Sequence, residues 1–144
     1  MVKEEEVRFF GYKHPLSNLY EKTFRIGDII FPTVEHYYQS RRTDDEFERF
    51  DIFMADTPEE AKKIGRWCEF MREDWDERKT VYMYKGIKAK MSQNEDLKKY
   101  LLDTDDKKLI CDNRNEYWGC GKKGDGQNMC GKILMLVRND LKGV

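Results

Sequence analysis

Apolar positions in the first third of the chain come in short runs, which points to strands. Val7 to Gly11 reads as a short strand. Thr23-Phe24-Arg25-Ile26 and Ile29-Ile30-Phe31 flank Gly27-Asp28, a two-residue hairpin signal because glycine accepts the positive φ such turns require. From Pro32 the spacing turns helical, with Thr33 placed to cap. Residues 35, 38, 39 and 42 then share one face at intervals of three and four. That face holds Glu35, Tyr38, Gln39 and Arg42, where a core-facing helix would show an apolar stripe. It therefore meets either solvent or a polar pocket. Thr57-Pro58-Glu59-Glu60 has the composition of a helix start, with a capping threonine, proline in the first turn and Glu60 completing a capping box. That helix should end near Gly65-Arg66. A longer helix is expected from about Asp74 to Lys90, another from Ser92–Asn94 to Leu102, and a last from Gln127–Met129 through Ile133, Leu134, Val137 and Leu141. Between the last two, Asp103 to Gly126 reads as a polar, glycine-rich loop, a length that is often functional. Pro15, Pro32 and Pro58 sit at element boundaries, and no repeat or linker interrupts the 144 residues.

Composition narrows the class. A length of 144 residues fits one domain. The mean hydropathy of −0.90 resembles that of a disordered chain, but 13% aromatic residues do not. The core should be built on rings. Lys plus Arg number 27 against 28 Asp plus Glu, so the basic excess of a nucleic-acid-coating protein is missing. No apolar run approaches a membrane span, and MVKEEEVRFF is charged where a signal peptide needs an apolar segment. A cytoplasmic protein without membrane association is expected. Cys68, Cys111, Cys120 and Cys130 form no CxxC pair, and His14 and His36 lie far from the last three. Free thiols are expected, with no metal site and no cofactor.

Three groups of residues can carry chemistry. Glu35 lies near His36, Tyr38 and Arg42; a partly buried glutamate beside aromatic rings has a raised pKa and works as an acid or base. As a residue type it is more often a surface glutamate in local ion pairs. Tyr117-Trp118-Gly119-Cys120-Gly121, followed by Gly124-Asp125-Gly126-Gln127-Asn128 before a helix, can free backbone N–H groups for an anion and offer rings for stacking. The bland alternative is a tight turn pinned by a core tryptophan. No obvious buried strand precedes these glycines, so a dinucleotide-binding reading fails its context. Trp75, between Asp74 and Asp76, is either an inward helix anchor, the commoner fate of tryptophan, or a ring for a ligand.

Together these segments carry a resemblance. Leu16-Ser17-Asn18-Leu19 and Phe31-Pro32-Thr33-Val34-Glu35-His36-Tyr37-Tyr38-Gln39 are similar to the LSN and EHYxQ signature of the NADAR (YbiA-like) family. The similarity continues through Thr57–Arg66, Trp75, Met83, Lys88-Ala89-Lys90, Leu101–Thr104, Trp118–Gly121, Gly126-Gln127-Asn128 and Gly131–Arg138. It covers about residues 9 to 141. It implies a compact, helix-rich α+β domain with a short N-terminal hairpin or sheet and about five to six helices. It also implies an N-glycosidase acting on early riboflavin-pathway intermediates or on ADP-ribosylated guanine. The family's proposed catalytic glutamate matches Glu35 and its tryptophan Trp75. Arg42 stands for the family's lysine, and Asn115 for its acidic residue three places before Trp118. A family glutamate eight places before Trp118 is absent, with Cys111 and Asp112 near that point, and Glu116 adjoins position 115.

The expected function is hydrolysis of the N-glycosidic bond of a phosphorylated ribosyl or ADP-ribosyl compound, with a small molecule or an ADP-ribosylated nucleic acid as partner. Glu35, Trp75 and Asn115 are the expected catalytic residues. Asn18, Tyr38, Arg42, Lys90, Trp118, Gly119, Gly121 and Asn128 are the expected substrate contacts. Arg42, Lys90 and the 121–128 loop would hold phosphate, and Trp75 with Trp118 would cover the base. The amide at Asn115 carries the alternative, a nucleotide-binding module with little hydrolysis.

Overall fold

The computed structural model describes residues 5–143. The first residues of the charged N-terminal segment, Met1 to Glu4, lie outside them. In chain order the elements are β1 (Glu6–Phe9), β2 (Phe24–Ile26), β3 (Ile29–Phe31), α1 (Val34–Ser40), α2 (Glu46–Phe53), α3 (Pro58–Arg66), α4 (Trp75–Gln93), α5 (Glu95–Leu102), β4 (Lys108–Cys111) and α6 (Met129–Lys142). Helices dominate and the sheets are small, so the fold is a helix-rich α+β one, as the family resemblance implies. The chain clusters into two compact units, one of Glu21–Lys90 and one of the residues up to Tyr20 with those from Met91 onward.

The Glu21–Lys90 unit begins with the expected hairpin. β2 and β3 pair antiparallel, Phe24 opposite Phe31 and Ile26 opposite Ile29, around Gly27 at φ +62°. Phe31 meets Phe24 at 5.9 Å and Tyr37 at 5.2 Å between ring centroids, so this core is indeed aromatic. Thr33 caps α1, its hydroxyl accepting the His36 N–H at 3.1 Å. Thr57 caps α3 in the same way through the Glu60 N–H at 3.1 Å. The Glu60 carboxylate reaches back to the Asp56 N–H, one residue before the cap. Gly86 lets α4 lie directly on α1, since a Cβ there would stand 2.9 Å from the Tyr37 ring and 3.2 Å from Val34.

Helix α2 has no counterpart in the sequence pattern. Asp45 caps it by accepting the Glu48 N–H at 2.9 Å. Only Ile52 of the helix is buried, and Phe47 is 84% exposed, so its apolar positions form no inward stripe from which a helix can be read.

In the other unit, the supposed loop from Asp103 to Gly126 contains strand β4. It pairs parallel with β1, Val7 against Leu109 and Phe9 against Cys111, and Leu109, Ile110 and Cys111 are buried. A buried strand therefore does precede the glycine-rich segment, contrary to the sequence reading. It belongs to a two-stranded pair. Helix α6 packs on β4 and α5 through Leu97, Leu101, Leu109, Ile133, Leu134 and Val137, all buried.

Candidate active site

Helix α1 is buried along its whole length. Of the two environments open to its polar face, the structure selects the enclosed one. Glu35 is only 8% exposed, so it is not the surface ion-pairing residue its type suggests. One turn on, Gln39 Nε2 donates to Glu35 Oε1 at 2.8 Å. The Gln39 carbonyl oxygen in turn accepts from Arg42 Nη1 at 3.2 Å. Burial pushes the Glu35 carboxyl above its ordinary range, opposed by the Gln39 hydrogen bond and by the positive charges of Lys62 and Arg42. Desolvation wins because an ion loses more on leaving water than one neutral donor returns.

The Arg42 guanidinium lies 5.5 Å from the centroid of the Trp75 ring, a cation–π distance. Its Nε is buried without a hydrogen-bond partner. Trp75 opens α4 and is 5% exposed. It meets Tyr38 at 5.0 Å and stacks on Tyr82 at 6.2 Å and 16°. Glu35, Gln39, Arg42, Tyr38 and Trp75 thus form one cluster inside the Glu21–Lys90 unit. Sequence reasoning assigned no role to Gln39 or Tyr82. Both had a signal, since Gln39 follows Glu35 by one helical turn and Tyr82 follows Trp75 by two.

His36 takes no part in that cluster. Its Nε2 donates to the Ala55 carbonyl at 2.9 Å, which leaves Nδ1 to accept from the Thr33 hydroxyl at 2.8 Å. Burial lowers its pKa, so it is a neutral ring joining α1 to the turn after α2. Lys90 is 1% exposed, and burial lowers its ammonium pKa to about 7. Near neutral pH it is therefore only partly the cation expected for phosphate.

The glycine-rich segment is built differently from the sequence expectation. Its N–H groups were expected to be free for an anion, but they are used by the chain itself. Met129 and Cys130, which open α6, donate to the carbonyls of Tyr117 and Trp118 at 2.9 and 3.0 Å. Gln127 and Asn128 donate to Glu116 and Gly119, both at 2.8 Å. Gly119 donates to Asn115, Gly121 to Asn113 and Gly126 to Cys120. The loop after β4 folds back over the start of α6 and supplies the acceptors a ligand would otherwise provide.

The side chains of this segment follow the same logic. Asn115 is exposed, and its amide oxygen accepts the N–H groups of Tyr117 and Trp118 at 2.9 and 2.8 Å. Asn128 has a left-handed backbone, φ 53°, and a buried amide. It accepts from Cys111 N and donates to Leu109 O, both at 2.8 Å, so it mimics a strand partner for β4. Asn18 donates to Cys130 Sγ at 3.4 Å. Cys130 in turn contacts Cys111 and lowers its thiol pKa. Trp118 is half-buried and edge-on to Tyr117 at 4.8 Å. The Glu116 carboxylate overlies Gly121, where a Cβ would stand 2.6 Å from it.

Among the described residues no group of three or more His, Cys, Asp or Glu side chains is arranged to hold a metal ion. No described helix is long and apolar enough to cross a membrane.

Comparison with known proteins gives this geometry its context. A family model described as the NADAR domain matches residues 8–142. The N-glycosidase YbiA of Escherichia coli is 34% identical over 127 residues, covering 87% of this chain and 79% of that protein. An N-glycosidase of Nostoc punctiforme is 36% identical over 134 residues, covering 89% of this chain and 85% of its own. The chloroplastic riboflavin biosynthesis protein PYRR of Zea mays is 37% identical over 130 residues; the match spans 81% of this chain but only 21% of the maize protein. The NMR structure of E. coli YbiA superposes with a TM-score of 0.88 at 30% identity, covering 99% of this chain and 88% of that one.

Proposed function

Because this chain belongs to the NADAR family, we propose that it hydrolyses the N-glycosidic bond of a phosphorylated ribosyl compound, with Glu35 as the reacting carboxylate. N-glycosidase is the name its relatives carry over most of this chain's length, and the chain is read as an N-glycosyl hydrolase. The substrate class and the residue roles are our own assignment. The observation that carries them is the Glu35 carboxyl, withdrawn from water, held by Gln39 and neighboured by Arg42.

Cleavage of a ribosyl C1′–N bond passes through a cation-like sugar. The bond's electrons leave with the base nitrogen, and water adds to C1′. A carboxylate set in a poorly solvated pocket stabilises that positive charge more strongly than one in water. The raised pKa of Glu35 also makes it the stronger base toward the attacking water, whose proton then passes to the departing base. Arg42, with a guanidinium only part of which is engaged by Gln39, is suited to a phosphate oxygen. Tyr38 and Trp75 supply an aromatic wall.

The riboflavin biosynthesis name of one relative, matched over 21% of that protein, supports a ribosyl phosphate of the riboflavin pathway over an ADP-ribosylated guanine, and we take a phosphoribosyl-linked aminopyrimidine as the compound to represent that class. A turnover panel with the aminopyrimidine and the guanine tests this. Release of ribose 5-phosphate from the aminopyrimidine is expected. Stoichiometric binding without release would contradict hydrolysis.

A further inference from the structure

Gln39 takes part in no chemical step of the mechanism, yet both ends of its amide are engaged. The carbonyl end accepts from Arg42 Nη1 at 3.2 Å, and the NH2 end donates to Glu35 Oε1 at 2.8 Å. A guanidinium can only donate and an ionised carboxylate can only accept. The direction of the amide is therefore forced. With Arg42 on one side, the donor end of Gln39 must face Glu35.

The side chain also needs room, which α3 provides at one position. A Cβ at Gly65 would lie 2.2 Å from Gln39 Oε1 and 3.1 Å from Gln39 Cδ. Gly65 is a buried helix residue at which only a hydrogen fits. The α1–α3 contact thus has a hole shaped for one amide.

We infer that Gln39 is a positioning residue, aimed by Arg42 and accommodated by Gly65, that holds the Glu35 carboxyl in its ionised form and in one orientation. The inference rests on the reading of Glu35 as the reacting carboxylate, but it makes a claim about Glu35 that is measurable without substrate. The charged groups acting on Glu35 are Lys62 from α3 and Arg42 from the turn after α1. Both favour ionisation, and burial opposes it. Removing the Gln39 donor leaves burial less opposed, so the Glu35 midpoint must rise.

The test is an NMR titration of the Glu35 side-chain carboxyl in the intact chain, in wild type, Gln39→Met and Gly65→Ala. Gln39→Met keeps the volume and removes both hydrogen-bonding ends. Its Glu35 midpoint should rise by about one pH unit, a tenfold change in the ionisation equilibrium. Gly65→Ala should move it the same way, because the new methyl displaces the amide. Unmoved midpoints in folded variants would overturn the inference. A wild-type measurement guards against variants that do not fold. The Gln39 side-chain NH2 resonances should titrate with the same midpoint as the Glu35 carboxyl, and resonances blind to that titration would overturn it equally.

Turnover separates this inference from the one beneath it. A Glu35→Gln chain that still turns over the phosphoribosylaminopyrimidine refutes the catalytic reading and leaves the titration result standing. An inactive Glu35→Gln chain beside an unshifted Gln39→Met titration refutes the positioning role alone.

Discussion

Arg42 serves three neighbours. One nitrogen holds Gln39 at 3.2 Å, and the guanidinium lies near Trp75. The third is the Met71 sulfur, which accepts from Nη2 at 3.9 Å. Arg42→Ala should weaken binding of a phosphorylated ribosyl ligand by about 1.5–3 kcal/mol, the range for charge-assisted hydrogen bonds, and weaken binding of the unphosphorylated ribosyl analogue much less. Calorimetric titration with both ligands decides it, and equal losses would make Arg42 purely structural. The pH dependence follows from Glu35. Its folded-state pKa lies above the ordinary 4.5, and the proposed mechanism needs the carboxylate, so kcat should climb with pH through a midpoint higher than 4.5. At this scale the sequence was informative about the α1 face, because positions 35, 38 and 39 are fixed by helical spacing, while Arg42 lies past the Arg41 cap that ends the helix. It was silent on burial, since a polar stripe does not say what covers it. It was silent on Asn115 and Asn128 too, because an amide written in a loop can equally face a ligand or its own backbone.

Elements explain where the loop reading failed. β4 is four residues long and begins with an exposed lysine, so its apolar part is too brief to stand out. Its partner β1 lies about a hundred residues away, which no local pattern can show. Asn128 then closes the arrangement by bonding Cys111 N and Leu109 O. Asn128→Ala would strand both buried groups and place alanine in a left-handed backbone. Urea unfolding should show a loss of about 2–4 kcal/mol. Phosphate binding lost without any loss of stability would show instead that the loop is a ligand site. Asn115 gives a finer test of the same segment. Its oxygen caps the turn at Tyr117 and Trp118, and an aspartate accepts the same two N–H groups. Asn115→Ala should cost about 1 kcal/mol, the usual scale of a lost cap, while Asn115→Asp should cost almost nothing. The helices were more readable. Thr33 and Thr57 cap where expected, because a hydroxyl before a helical run is a local signal. α2 escaped because two of its three phenylalanines, Phe47 and Phe50, are exposed.

The stability of the whole molecule should depend on pH through Lys90. Its pKa is about 7 in the folded chain against 10.5 in a free side chain. Between those values the unfolded chain binds the extra proton, so stability rises as pH rises through that window. Lys90→Met should flatten this rise, and urea midpoints from pH 6 to 10 would show whether it does. Membership of the NADAR family was legible from the order of many short motifs spread over nearly the whole chain. The catalytic assignment hangs on one carboxyl, and turnover of the Glu35→Gln chain on a phosphoribosylaminopyrimidine tests it most directly. Retained fold and ligand affinity are expected, with a rate about a hundredfold lower or less still, the scale of a lost acid–base or electrostatic group. Wild-type turnover in that variant would contradict the catalytic assignment.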